Sequence, residues 1–148
     1  MEIAILALGC FWGPEEKFSK LNGVIKTEVG YCGGTTNSTT YEEVCTGSTN
    51  HAEVVKIEFD EKIIAYANLL EKFFEMHDPT TINKQGPDVG TQYRSEIFYR
   101  NDKQREIAEQ VSLKFNKKYN GKIVTNISEE KNYCKAENYH QKYIQKRN

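Results

Sequence analysis

The sequence predicts an α+β fold: a mixed sheet around a ferredoxin-like, split β-α-β core, with helices packed on it and long loops at the site. Three observations predict it. Apolar and periodic stretches follow the order strand–helix–strand–strand–helix–strand–helix–strand. The first of them is apolar almost throughout, as in a buried central strand. Two loops of fifteen residues or more interrupt this pattern, and loops of that length inside a compact domain are usually functional.

Each element follows from local chemistry. Glu2–Leu8 is the buried first strand. Pro14 opens a helix to Leu21, because its missing N–H would be unpaired in a first turn, and Asn22-Gly23 stops it. Val24–Tyr31 is rich in β-branched residues and reads as a second strand; Cys32–Asn50 is the first long loop, with Gly33-Gly34 and a Thr/Ser/Asn run. Ala52–Phe59 is a third strand. Ile64–His77 is amphipathic, with Leu69, Leu70, Phe73 and Phe74 on one face and Pro79 after its end. Asp78–Tyr93 is the second long loop, followed by a strand over Arg94–Arg100. Asp102–Tyr119 carries Ile107, Val111 and Phe115 at steps of four and stops before Gly121. Ile123–Ile127 is a last strand, and Asn138–Lys146 a short polar helix.

The 148 residues carry 20 Lys and Arg against 21 Asp and Glu, 38% hydrophobic and 28% charged residues. That length suits one domain, spanning 1–148, with a core that needs no disulfide staples. Near-neutral charge removes the broad electrostatic reason to bind nucleic acid or an anionic membrane. The longest apolar run, Ile3–Trp12, is too short to span a bilayer. Glu2 directly after Met1 lacks the basic start of a signal peptide, so a cytoplasmic protein is expected.

Four cysteines, Cys10, Cys32, Cys45 and Cys134, form no CxxC, and none pairs with a histidine at zinc-ligand spacing. No metal site is expected. Each thiol is therefore a small buried hydrophobe or a reactive group. Gly9-Cys10-Phe11-Trp12-Gly13-Pro14 favours reactivity for Cys10, which leaves a buried strand just before a helix N-terminus, where free N–H groups favour a thiolate. The flanking glycines allow a tight turn, and a purely structural turn would rarely carry both Phe11 and Trp12.

Gly9-Cys10-Phe11-Trp12-Gly13 resembles the active-site motif of the peptide methionine sulfoxide reductase A family. The similarity continues through Gly30-Tyr31, Gly33-Gly34, Tyr41-Glu42-Glu43-Val44-Cys45, Gly47 and His51-Ala52-Glu53. It extends to His77-Asp78-Pro79-Thr80, Gln85-Gly86, Asp88, Gly90–Ser95, Ala136-Glu137 and Tyr139-His140-Gln141, collinear over nearly the whole chain.

The resemblance implies a thiol enzyme that reduces the S-epimer of methionine sulfoxide, free or in peptides and proteins, with no bound cofactor. It implies Cys10 as nucleophile, passing through a sulfenic acid, and Glu53 as the acid that protonates the departing oxygen. Tyr41 and Tyr93 would hydrogen-bond that oxygen, Phe11 and Trp12 would wall the methyl group, and Asp88 would support the site. An external thiol donor, thioredoxin or glutaredoxin, is implied, and a monomer is expected.

Elementary chemistry agrees. Sulfoxide oxygen leaves poorly until protonated, so the reaction needs an acid that keeps its proton near pH 7, which a desolvated carboxyl does. A phenol donates a hydrogen bond without changing charge. Nothing in composition separates Glu53 from Glu42 or Glu43, and nine tyrosines make surface packing the ordinary fate of Tyr41 and Tyr93. Relatives often carry a resolving cysteine in a tail beyond Tyr-His-Gln, which these 148 residues do not include. Cys134, close to the final motif, and Cys32, at the end of a strand parallel to the first, are the candidate resolving thiols, beside direct attack by an external thiol; Cys45 is read as structural. Two alternatives remain open at this point: a cysteine hydrolase pairing Cys10 with His51, and a module that binds oxidised methionine without turning it over.

Overall fold

The computed structural model describes residues 1–147. In chain order the elements are β1 (Glu2–Leu8), α1 (Trp12–Ser19), β2 (Val24–Cys32), α2 (Tyr41–Thr46), β3 (Ala52–Phe59) and α3 (Tyr66–Met76). They continue with a hairpin of β4 (Lys84–Gln85) and β5 (Asp88–Val89), then β6 (Ser95–Tyr99), α4 (Asp102–Lys118), β7 (Asn126–Glu129), β8 (Cys134–Lys135) and α5 (Tyr143–Lys146).

The main sheet has the order β7-β6-β1-β3-β2-β8. β1 is antiparallel to β3 and to β6, and β2 is antiparallel to β3, so β1 and β2 run parallel on either side of β3, with α1 connecting them. β3, α3 and β6 repeat this arrangement around β1, giving two interleaved split β-α-β units. The parallel pairing of β7 with β6 makes the sheet mixed.

Side chains alternate across the sheet with period two. Leu6, Leu8, Val29, Tyr31, Val55 and Ile57 face a core closed by Phe18 of α1, Leu69, Leu70, Phe73 and Phe74 of α3, and Val111 and Phe115 of α4. Burying each such side chain is worth about 1.5–3 kcal/mol. Ile5, Ala7, Cys32, Ala52, Val54 and Phe98 form a smaller cluster on the opposite face. Because β1 and β2 end at the same edge, where β3 begins, the turn after Leu8, the α2 loop and the 78–93 loop all gather there.

Several elements differ from the sequence expectation, among them the β4–β5 hairpin inside the second long loop and β8, neither of which was expected. α1 begins at Trp12 rather than Pro14, which is compatible because the third position of a helix still donates to nothing within it. The first long loop contains α2, capped by the Thr40 side chain on the Glu43 N–H at 3.3 Å and ended by Gly47 at φ +76. β7 starts at Asn126 rather than Ile123, because the Val124 N–H is spent on Pro79 O and that of Ile123 on the Asn116 side chain. The expected helix over Asn138–Lys146 is a 3-10 turn, Asn138–His140, and the short α5, separated by Lys142 at φ +54.

Candidate active site

Gly9, at φ +95, turns the chain off β1, and a Cβ there would lie 2.7 Å from the Gln85 side chain; only glycine lets the 78–93 loop close against this turn. Cys10 follows, half-buried, then Phe11, whose N–H donates to Glu53 Oε1 at 3.3 Å. That bond brings the end of β1 and the second residue of β3 into one site. Glu53 is 1% exposed and in register with Tyr31, so its side chain points into the helix-covered face beside aromatic rings.

Burial pushes the Glu53 carboxyl up to about 8, against the opposing pull of the Phe11 N–H and with help from the charge of Asp88. It is therefore an acid holding its proton at neutral pH. Cys10 departs from expectation. Its thiol is pushed up to about 11 by burial, reinforced by Glu53 and Asp88, and the Trp12 N–H at the start of α1 lowers it by less. The helix terminus assists the thiolate as the sequence suggested, but desolvation outweighs it.

Tyr41, the first residue of α2, and Tyr93, at the end of a 3-10 turn, come from the two long loops. Tyr93 is pushed up to about 12 by burial and by the charges of Glu53, Cys45, Asp88 and Cys10. The Tyr41 phenol is raised first by its hydrogen bond with the Cys45 thiol and then by burial. Both phenols are thus donors throughout the neutral range. Asp88, on β5, is half-buried and contributes to the field at Cys10, Glu53 and Tyr93.

Phe11 and Trp12 converge on a residue to which the sequence assigned no chemistry. His140 is 1% exposed, with ring centroids 5.1 Å from Phe11, 5.7 Å from Trp12, 4.6 Å from Tyr41 and 4.2 Å from Tyr139. Its Nδ1 accepts from Trp12 Nε1 at 3.0 Å, which places the remaining proton on Nε2, a buried nitrogen with no partner among the described residues. The indole also stacks on Tyr143 at 3.8 Å. Only the Tyr-His-Gln motif signalled His140 in the sequence, because Phe11, Trp12 and Tyr41 lie more than ninety residues away in the chain.

The remaining candidates separate by face. Cys134 lies opposite Tyr31 on β8, on the same face as Glu53, with its thiol 3.8 Å from Thr39 O. Cys32 is one residue along β2, so period two turns it to the opposite face; it is fully buried, with its thiol on Lys131 O at 3.3 Å. Its proposed access to Cys10 fails for that reason. His51 lies beneath Gly34, with Nδ1 on Thr49 Oγ1 at 2.8 Å and Nε2 on Asn132 O at 3.2 Å. Both of its nitrogens are occupied by structural partners, which removes the hydrolase alternative built on His51. Among the described residues no cluster of His, Cys, Asp and Glu could hold a metal ion, and no helix is long and apolar enough to cross a membrane.

A half-buried cysteine beside a carboxyl that burial keeps protonated, with two phenols and an aromatic wall around them on an α+β scaffold, fits a thiol-dependent oxidoreductase acting on a neutral, polarised substrate. Residues 2–148 match the model of the family described as peptide methionine sulfoxide reductase, and the chain belongs to that family. A peptide methionine sulfoxide reductase of Pelagibacter ubique is 68% identical over 147 residues, covering 99% of this chain and all of the relative. A probable peptide methionine sulfoxide reductase of Schizosaccharomyces pombe is 53% identical over 152 residues, covering 99% and 89% of the two chains. Among solved structures, the reduced form of Mxr1 from Saccharomyces cerevisiae superposes with a TM-score of 0.93 at 39% identity, over 98% of this chain and 84% of that one. Mxr1 has also been solved in complex with Trx2, and that chain matches with a TM-score of 0.69 at 28% identity, over 96% and 84%. The protein is accordingly a methionine sulfoxide reductase that depends on thiol chemistry.

Proposed function

We propose that Cys10 is the nucleophile and Glu53 the general acid in reduction of the S-epimer of methionine sulfoxide, free or peptide-bound. The observation that carries this is Glu53: a carboxyl 1% exposed and pushed up to about 8, fixed beside Cys10 by the Phe11 N–H. The sulfoxide oxygen accepts from the Tyr41 and Tyr93 phenols and takes the Glu53 proton as the Cys10 sulfur attacks. Methionine leaves, Cys10 keeps the oxygen as a sulfenic acid, and the Cys10 proton restores Glu53. Phe11 and Trp12 wall the methyl group, and Asp88 is the supporting carboxylate on the substrate side of the site.

Regeneration is proposed through an external thiol, which attacks the sulfenic sulfur, releases water and forms a mixed disulfide that a second thiol opens. The Mxr1 complex with Trx2 supports a thioredoxin in that role. Cys134 is on the same face as Glu53, but its strand lies three places in the sheet from β1, which Cys10 follows, about 14 Å at ordinary strand spacing, whereas a disulfide needs Cα atoms within about 7 Å. We also propose a cytoplasmic monomer; four free thiols suit a reducing compartment.

A single-turnover experiment tests this. Reduced protein mixed with an S-sulfoxide peptide, without reductant, should release one methionine per chain and lose one thiol, Cys10. No release by the unaltered chain, or undiminished release by Cys10→Ser, overturns the assignment. Loss of a second thiol mapped to Cys134 would replace the external thiol with an internal disulfide.

A further inference from the structure

We infer that Glu137 is a positioning residue for the reduction, its carboxylate setting the Tyr41 phenol against the reacting oxygen by tying the start of α2 to the sheet. Glu137 Oε1 accepts from the Tyr31 hydroxyl at 2.8 Å, and Oε2 accepts from the Tyr41 backbone N–H at 2.8 Å. The two partners differ in rigidity. Tyr31 is fully buried in β2, in register between Glu53 and Cys134, with its ring 5.7 Å from that of Phe11. Tyr41 heads a helix of six residues in which only Val44 is buried. A helix that short does not hold itself in water, and the N–H of its first residue has no acceptor within it. The position of the Tyr41 phenol therefore depends on an outside anchor, and Glu137, itself held by Tyr31 of β2, supplies one.

The chemistry requires a carboxylate. Both partners arrive as donors, and an ionised carboxyl is the side chain that presents two acceptor oxygens and no donor. Burial works against the charge, but the bonds from the Tyr41 N–H, its own backbone N–H and the Tyr31 hydroxyl overcome it and hold Glu137 below the usual carboxylate range. Glu137 and Glu53 are thus opposite cases within one site: one kept as an anion by its hydrogen-bond donors, the other kept neutral by desolvation. Glu137 also begins the turn carrying His140, whose N–H bonds the Glu137 carbonyl at 3.0 Å, so the same anchor sets the ring against which Tyr41 packs.

The inference rests on Tyr41 bonding the sulfoxide oxygen, and a double-mutant cycle separates the two claims. Methionine release from an S-sulfoxide peptide is measured for the unaltered chain, Glu137→Ala, Tyr41→Phe and the double variant. Glu137→Ala should lower kcat about a hundredfold with KM nearly unchanged, the scale of loss for a displaced catalytic group. Once Tyr41→Phe has removed the phenol, the same change should cost about twofold or less. Equal factors in both backgrounds, or a rise in KM at constant kcat, overturn the inference and leave the Tyr41 assignment standing. A Tyr41→Phe chain as fast as the unaltered one overturns both. If Glu137→Ala does not fold, Glu137→Gln carries the same cycle: it keeps the shape and one acceptor, and about a tenfold loss confined to the Tyr41 background is expected.

Discussion

Glu53 shows how one residue acquires its chemistry from its position. Tyr31 on the neighbouring strand and the rings near Phe11 strip water from its charged form, and one backbone N–H is too little to restore it. Two consequences follow with defined sign. In the role proposed for it the acid must be protonated to act, so turnover should fall as pH rises through about 8, read from kcat against pH with the isolated chain. Its folded-state value lies above the ordinary 4.5, so the folded chain binds the extra proton and loses stability as pH climbs from 4.5 through about 8. Glu53→Gln should therefore abolish most of the turnover yet stabilise the protein at pH 9 by about 3–5 kcal/mol, while changing little at pH 4. Denaturant melts at the two pH values measure this, and equal stability at pH 9 would contradict a buried, desolvated Glu53.

At the scale of elements, the segment after β8 is held by side chains that replace a strand and a cap. Gln141 Oε1 accepts from Val29 N–H at 2.9 Å, and its amide donates to Val29 O at 2.8 Å and Ala136 O at 3.0 Å. Beside it, Lys142 donates through its backbone and its ammonium to the buried Glu15 carboxylate, at 2.8 and 3.0 Å, and its ammonium also reaches Thr27. These bonds explain why Asn138–Lys146 does not continue as one helix: Gln141 and Lys142, at the break, are directed to different external partners. Gln141→Ala leaves the Val29 N–H without its partner, while Val29 O keeps the Ala136 N–H at 3.0 Å, and a loss of about 1–3 kcal/mol is expected. Hydrogen exchange should localise the loosening to the segment carrying Glu137 and His140, with kcat falling in parallel; a change confined to global stability would show that the clasp does not serve the site.

Across the whole molecule, the sheet sets Cys32 apart from the other three cysteines. Cys10 and Cys134 belong to the helix-covered face, Cys45 sits exposed at the Tyr41 hydroxyl, and Cys32 is sealed on the opposite face. Oxidation by substrate should therefore never draw on Cys32. Cys32→Ser should keep single-turnover stoichiometry and recycling by a thioredoxin unchanged, as thiol counting and peptide mapping would show. A mapped disulfide containing Cys32 would require the sheet itself to open.

Much of this was legible in the chain. The strands β1 and β3 lie where uninterrupted apolar and β-branched runs placed them, and the α3 face of Leu69, Leu70, Phe73 and Phe74 is the buried one, because burial imposes its own period on the residues. The Gly-Cys-Phe-Trp-Gly turn was visible as a site for the same local reason. The helix α2 was signalled by Thr40, Glu43 and Gly47 and missed because six residues carry no periodicity. What the chain alone could not reveal is everything that depends on which residues meet across long separations. The family resemblance, not composition, chose Glu53 among its acidic neighbours; only the tertiary structure buried its carboxyl, put His140 among four rings and Glu137 between Tyr31 and Tyr41, and turned Cys32 away from Cys10. Periodicity and local capping are properties of neighbouring residues, whereas desolvation and hydrogen-bond partnership are properties of the packed whole.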